Sequence, residues 1–265
     1  MMFYALHSVF VFMFGTIFGS FFNVCIYRLP LEESVVAPPS HCPKCNHPIR
    51  WYDNIPILSF IFLRAKCRDC GTKISIRYPV IELITGLGFL WMWIIYGLSV
   101  QAFVGVFLFS CLLIATVVDI DHQIIPDEVS LGGLVVGLIL SFIFPAIHAQ
   151  QIWWKGGVQG LVGALAGGGI IYITGVVGDF VFKKESMGGG DVKLLAMIGS
   201  IVGWQNVLLV FFLAPVLAVP LGLYLKFVKH EEVLPFGPFI SVAGWIAFLW
   251  GEPIIYWYLN GMRFS

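Results

Sequence analysis

Long apolar runs separated by short polar connections set the pattern of this chain. Eight runs are read, at roughly residues 4–26, 78–98, 101–118, 129–147, 158–180, 192–202, 204–226 and 236–258. Most approach the ~20 residues a helix needs to cross a bilayer. The sixth is short and abuts the seventh through Gly203, so it reads as a half-span or as part of a re-entrant hairpin. The expected fold is an all-α polytopic membrane protein with about eight transmembrane segments. Residues 28–77 are the one sizeable polar stretch. The pattern therefore predicts a first transmembrane segment (1–27), a polar insert (28–77) and a larger transmembrane domain (78–265).

Composition agrees with this pattern. The chain is 59% hydrophobic and 11% charged, against about 25% charged in a soluble domain. The lipid bilayer is thus the first partner, and a net charge of zero makes nucleic acid an unfavoured one. The distribution of charge says more. Residues 28–77 hold eight of the fifteen Lys and Arg. Lys183, Lys184, Lys193, Lys226 and Lys229 fall on the same side if the eight segments alternate, and only Lys155 and Arg263 fall opposite. Basic residues mark the cytoplasmic side. This places residues 28–77, 119–128, 181–192 and 227–235 in the cytoplasm and both termini outside. Residues 1–8 carry no Lys or Arg and no small-residue cleavage site follows, so the first run reads as an uncleaved anchor.

Two aspartates stand at the ends of different apolar runs. Asp119 closes Gly105–Val118, and Asp191 follows Gly188-Gly189-Gly190 and opens the sixth run. An ionisable group at membrane depth is expensive and marks a functional site by default. The charge pattern puts both at the cytoplasmic face. Two facing carboxyls with a water between them are the minimum equipment of an aspartic protease. Asp191 also has a bland account as an N-cap residue, and Asp127, after Pro126, has one as a helix-start residue. Asp119 has the weakest bland account, because a carboxylate at a helix C-terminus meets the negative end of the dipole. On that basis Asp191 is expected to be the ionised base and Asp119 the protonated acid. Ion-coupled transport, with Asp119 and Asp191 as relays, is the competing class.

The insert carries Cys42-Pro-Lys-Cys45 and Cys67-Arg-Asp-Cys70. Paired C-x2-C knuckles at this spacing read as a tetrahedral zinc site, structural because four cysteines leave no open position. A disulfide pair is the rival, disfavoured by a reducing cytoplasm. His41 and His47 flank the first knuckle as surface residues or alternative ligands, while Cys25 and Cys111 read as packing residues. Glu82, just inside the second run, has two readings: snorkelling to the interface, or binding a cationic group such as an amine. The fifth run is rich in glycine, and Gly163 and Gly167 form a G-x-x-x-G spacing for close helix packing.

In order and combination these motifs resemble the bacterial type IV prepilin peptidases. The likeness runs from Gly19-Ser20-Phe21-Phe22-Asn23-Val24 and Tyr27-Arg28-Leu29-Pro30 through the knuckles and Trp51-Tyr52-Asp53-Asn54-Ile55-Pro56. It continues through Arg77-Tyr78-Pro79 with Glu82, the Asp119 cluster, and Gly188-Gly189-Gly190-Asp191 with Lys193-Leu194-Leu195. The family's G-x-G-D motif falls on Gly188–Asp191 and its other catalytic aspartate on Asp119. The resemblance implies a bacterial inner-membrane enzyme that cleaves the basic leader of type IV prepilins or pseudopilins after a glycine. It implies a second step, methylation of the new N-terminal amine with S-adenosylmethionine, in which Glu82 or Asp53 orients the amine. Residues 28–77 would then be the methyltransferase-associated insert and 78–265 the peptidase domain. Asp121, Asp127, Glu231 and Glu232 are expected to attract the basic leader.

Overall fold

The computed structural model describes residues 2–183, 187–225, 227 and 234–261. Lys184, Lys226, Lys229, Glu231, Glu232 and Arg263 lie outside the described residues. Among the described residues eight α-helical elements follow one another: α1 (Met2–Arg28), α2 (Leu58–Phe62), α3 (Arg77–Tyr96), α4 (Val100–His122), α5 (Asp127–Ile143), α6 (Trp153–Phe182), α7 (Gly189–Tyr224) and α8 (Gly237–Gly261). Among the described residues there is no β-strand, only two isolated bridges in the insert. The chain divides into two compact units, residues 1–106 and 107–265.

Among the described residues six helices, α1, α3, α4, α6, α7 and α8, are long and apolar enough to cross a membrane. Six such elements stand against eight expected runs, and two features account for the difference. The sixth and seventh runs share one element, α7, but it is two helical arms that meet at Gly203, whose backbone is not helical (φ 81°, ψ 169°). A Cβ on Gly167 would meet both Leu195 and Val207, so the second arm turns back beside the first, as the hairpin reading expects. The fourth run becomes α5, only 17 residues long, or about 26 Å at 1.5 Å per residue, short of a ~30 Å hydrocarbon core. Large apolar side chains such as Phe10, Phe14 and Ile17 on α1, and Leu165, Tyr172 and Ile173 on α6, stand exposed. That is the surface expected of helices solvated by lipid.

In the first unit α1 and α3 pack antiparallel in a fixed register. Gly15 faces Gly86, Gly19 faces Glu82, and Asn23 donates from Nδ2 to the Tyr78 carbonyl at 3.1 Å. Each pair moves four residues up one helix and four down the other, so the contact follows one face of both. A Cβ on Gly19 would lie 2.6 Å from the Glu82 backbone, so glycine is what lets the helices approach here.

In the second unit α7 is the hub, packed by α5, α6 and α8. Leu194, Leu195, Met197, Ile198, Ile201, Val207 and Val210 of α7 are fully buried. The glycine-rich face of α6 meets it directly. A Cβ on Gly163 would strike the Gly199 carbonyl, one on Gly199 would strike that of Gly163, and Gly167 sits against the Leu195 carbonyl. The G-x-x-x-G spacing is used for backbone contact, as expected. Cys111 of α4 is buried, and a Cβ added at Gly133 of α5 would lie 3.5 Å from its sulfur, which fits a packing residue.

Candidate functional site

Four helix ends converge around the two aspartates. Asp119 lies in the last turn of α4 and is buried, 6% exposed. Its Oδ2 accepts a hydrogen bond of 2.8 Å from the backbone N–H of Gly237, the first residue of α8. The first amides of a helix have no partner within it, so Asp119 fills one of these vacancies across 118 residues of sequence. Gly237 has to be glycine for this approach, because a Cβ there would lie 2.8 Å from Asp119 Oδ2.

Asp191 is in the first turn of α7, with Gly188 as N-cap in an extended conformation (φ −71°, ψ 139°). The three glycines supply room rather than positive φ. A Cβ on Gly190 would lie 3.1 Å from that of Ile125, in the turn that follows α4. Lys193 Nζ donates to Asp127 Oδ1 at 2.6 Å, pinning α7 to the first residue of α5. These contacts hold the start of α7, which carries Asp191, against the end of α4, which carries Asp119. Asp121 and His122 are exposed beside the pair.

The expected asymmetry between the two carboxyls is offset by this arrangement. Asp119 does stand at the negative end of its own helix, but it is bonded to the positive end of α8. Both acids therefore meet a helix N-terminus, and helix ends alone do not distinguish acid from base. Sequence reading passed over Gly237. Its signal was the Pro235-Phe236-Gly237-Pro238 run, a helix-start pattern with nothing to link it to Asp119.

In the insert, Cys42, Cys45, Cys67 and Cys70 bring their sulfurs within 4.8 Å of one another. Four thiolates about 2.3 Å from a tetrahedral ion lie about 3.8 Å apart, and Cys42 Sγ to Cys70 Sγ is 3.8 Å. The donor set and spacing fit a zinc-like ion, which none of the flanking residues need join. His47 faces Asp69 at 3.9 Å, and His41 is exposed with its ring on the Pro39 carbonyl. The two knuckles are built alike. Cys42 N–H donates to the His47 carbonyl and Cys67 N–H to that of Thr72, and Asn46 and Gly71 take the same left-handed position (φ 55° and 69°). The Thr72 hydroxyl lies 3.3 Å from Cys70 Sγ and adds a polar neighbour to the second knuckle.

Asp53 and Glu82 line one cavity of about 730 Å³ in the first unit. Asp53 is gripped by Arg68 through two bonds, Nε to Oδ2 at 2.8 Å and Nη2 to Oδ1 at 2.6 Å. Arg68, bonded in this way, holds the Asp53 carboxyl below its usual range. Glu82 is buried and does not snorkel; its Oε2 accepts from the Ile57 N–H at 2.7 Å. Ile57 is the centre of a γ-turn (φ 61°, ψ −49°), closed by Leu58 N–H on the Pro56 carbonyl. Such backbone at a β-branched residue costs on the order of 1–3 kcal/mol and persists only where the surroundings impose it.

Two family models match the chain: the Bacterial Peptidase A24 N-terminal domain over residues 13–96 and the Type IV leader peptidase family over residues 106–223. The chain is similar to three curated proteins called prepilin leader peptidase/N-methyltransferase. The Aeromonas hydrophila protein is 34% identical, covering 94% of this chain and 93% of that protein. The Stutzerimonas stutzeri protein is 37% identical, covering 94% and 92%. The Pseudomonas aeruginosa protein is 34% identical, covering 95% and 93%. No solved structure matches.

Proposed function

The chain belongs to the type IV leader peptidase family, and on that premise we propose that it is a multi-pass membrane aspartic endopeptidase and N-methyltransferase acting on type IV prepilins or pseudopilins. The observation that carries the peptidase half is the approach of the end of α4, with Asp119, to the start of α7, with Asp191, the Gly237 amide fixing Asp119. Ion-coupled transport draws no support from any of these relatives.

One proton shared by the pair is the working state, since two close carboxyls resist ionising together. The ionised member takes a proton from water as the water oxygen adds to the scissile carbonyl carbon. The protonated member gives its proton to the carbonyl oxygen. Collapse of the tetrahedral intermediate breaks the C–N bond: the leaving amine takes a proton from one carboxyl, and a hydroxyl of the intermediate returns its proton to the other as the carbonyl re-forms, so the pair again holds one proton. The Gly237 amide keeps Asp119 Oδ2 an acceptor and leaves Oδ1 to carry the proton. Gly188, Gly189 and Gly190 form the loop against which the substrate backbone lies, and their lack of side chains leaves room for it.

The leader is cut after a glycine at the cytoplasmic face of the bacterial inner membrane, and both termini of this chain lie outside. With the eight apolar runs alternating across the bilayer, thirteen of the fifteen Lys and Arg fall on one side, which supports that orientation. Residues 28–77 carry a structural zinc ion held by Cys42, Cys45, Cys67 and Cys70 and serve methylation, and residues 78–265 hold the peptidase machinery. When bound, S-adenosylmethionine supplies a methyl group on a cationic sulfur for the newly exposed amine. Cleavage and methylation of a purified prepilin, followed by mass spectrometry of the product, test both halves. Unmethylated product would remove the second activity and leave the first.

A further inference from the structure

The cavity of the first unit lies between the knuckle insert and helices α1 and α3, and its volume of about 730 Å³ suits a cofactor-sized ligand. Most of the charges that line it are already matched or exposed. Asp53 is held by Arg68, Arg50 and His47 face Asp69, and Glu33 and Lys73 are exposed. Two are neither. Arg28 is 6% exposed and Glu82 8%. Among the described residues no carboxylate lies within ion-pair distance of Arg28 and no cation within that distance of Glu82. Arg28 donates from Nη1 to the Ser34 carbonyl at 2.9 Å and from Nη2 to the Pro38 carbonyl at 2.8 Å. Those bonds orient the guanidinium and leave its charge uncompensated. Glu82 is oriented by the Ile57 amide, at the cost of the strained turn. Buried charges without partners are expensive, and here one of each sign opens into the same space.

The two sit toward different ends of it. Gly19 packs on the Glu82 backbone, and Arg28 is nine residues further along α1, roughly 14 Å of helix rise. Helical side chains lean toward the N-terminus of their own helix. Since α1 and α3 are antiparallel, Arg28 and Glu82 lean toward each other. The ligand that matches is dipolar, with an anionic group and a separate cationic one.

We propose that this cavity is the methyl-donor site, with Arg28 receiving the carboxylate of S-adenosylmethionine and Glu82 facing its sulfonium. This rests on the methyltransferase reading above. Asp53, committed to Arg68, shapes the wall and does not take the ligand's charge.

The test is equilibrium binding of S-adenosylmethionine and of S-adenosylhomocysteine, which lacks the sulfonium charge, to the full chain in detergent. Prepilin cleavage by each variant serves as the fold control. Arg28→Met should weaken both ligands about tenfold or more, as loss of a charge-assisted pair does, and Arg28→Lys should recover part of that. Glu82→Gln should weaken S-adenosylmethionine and spare S-adenosylhomocysteine. All variants should still cleave. A wild type that methylates, with variants that bind the donor as tightly, would overturn the site; equal weakening of both ligands by Glu82→Gln would overturn the role of Glu82. A wild type that neither binds the donor nor methylates would instead overturn the methyltransferase reading.

Discussion

Asp119 Oδ2 accepts the backbone N–H of Gly237 at 2.8 Å, joining the last turn of α4 to the first residue of α8. Both elements are thereby committed to one position of the carboxyl. Gly237→Ala would put a methyl 2.8 Å from that oxygen and push the acid aside. The expected outcome is a fall in cleavage of ~10²-fold, the usual effect of displacing a reacting group by about an ångström. Steady-state cleavage, with methylation as the control for folding, checks it.

The Lys193–Asp127 pair is short, but its side chains are 37% and 58% exposed. Exposed pairs contribute about 0–1 kcal/mol. Lys193→Met should therefore lower thermal stability only slightly, and 0.5 M salt, an ionic strength at which the screening length is only ~3–5 Å, should erase the difference. Unfolding curves at two salt concentrations decide it.

Gly163 and Gly199 leave no room for a side chain on either helix. Gly163→Val overpacks the α6–α7 contact and should destabilise the protein by about 1–3 kcal/mol. A neutral substitution in a thermal unfolding assay would contradict the close approach.

His148, in the connection between α5 and α6, is pushed down to about 4 by burial, from an ordinary value of 6.5. Between those pH values the unfolded chain binds the proton and the folded chain does not. Stability is therefore full above about pH 6.5 and falls as the pH drops toward 4, by up to about 3 kcal/mol. Thermal unfolding across that range should show this slope in the wild type and lose it in His148→Gln.

Removal of one knuckle ligand tests the cysteine cluster. Purified wild-type protein should carry one zinc per chain, and Cys45→Ser should lose it. Because four thiolates close the coordination shell, metal loss should loosen the insert rather than stop prepilin cleavage. Metal analysis and limited proteolysis of the insert read the two effects.

What the sequence disclosed was local. The knuckles are spelled by spacing of a few residues, and the two aspartates stand out because each ends an apolar run. The G-x-x-x-G of α6 could be read because its period is helical. Gly237 was illegible because its partner is 118 residues away. Arg28 was hidden differently: a basic residue after an apolar run looks like a topology signal, and only packing shows that it is buried without a carboxylate. The boundary at Gly203 was legible in hydropathy, and the backbone leaves the helix there (φ 81°, ψ 169°); the fourth run was harder to read, because its helix, α5, stops at 17 residues.

The central claim is that Asp119 and Asp191 act as one catalytic pair, and single-site variants test it most directly. Cleavage of a purified prepilin should be compared for wild type, Asp119→Asn and Asp191→Asn, each verified as folded. The expected result is cleavage by the wild type and none by either variant, because one proton shared by two carboxyls needs both. Cleavage by either variant at near the wild-type rate would contradict the pair.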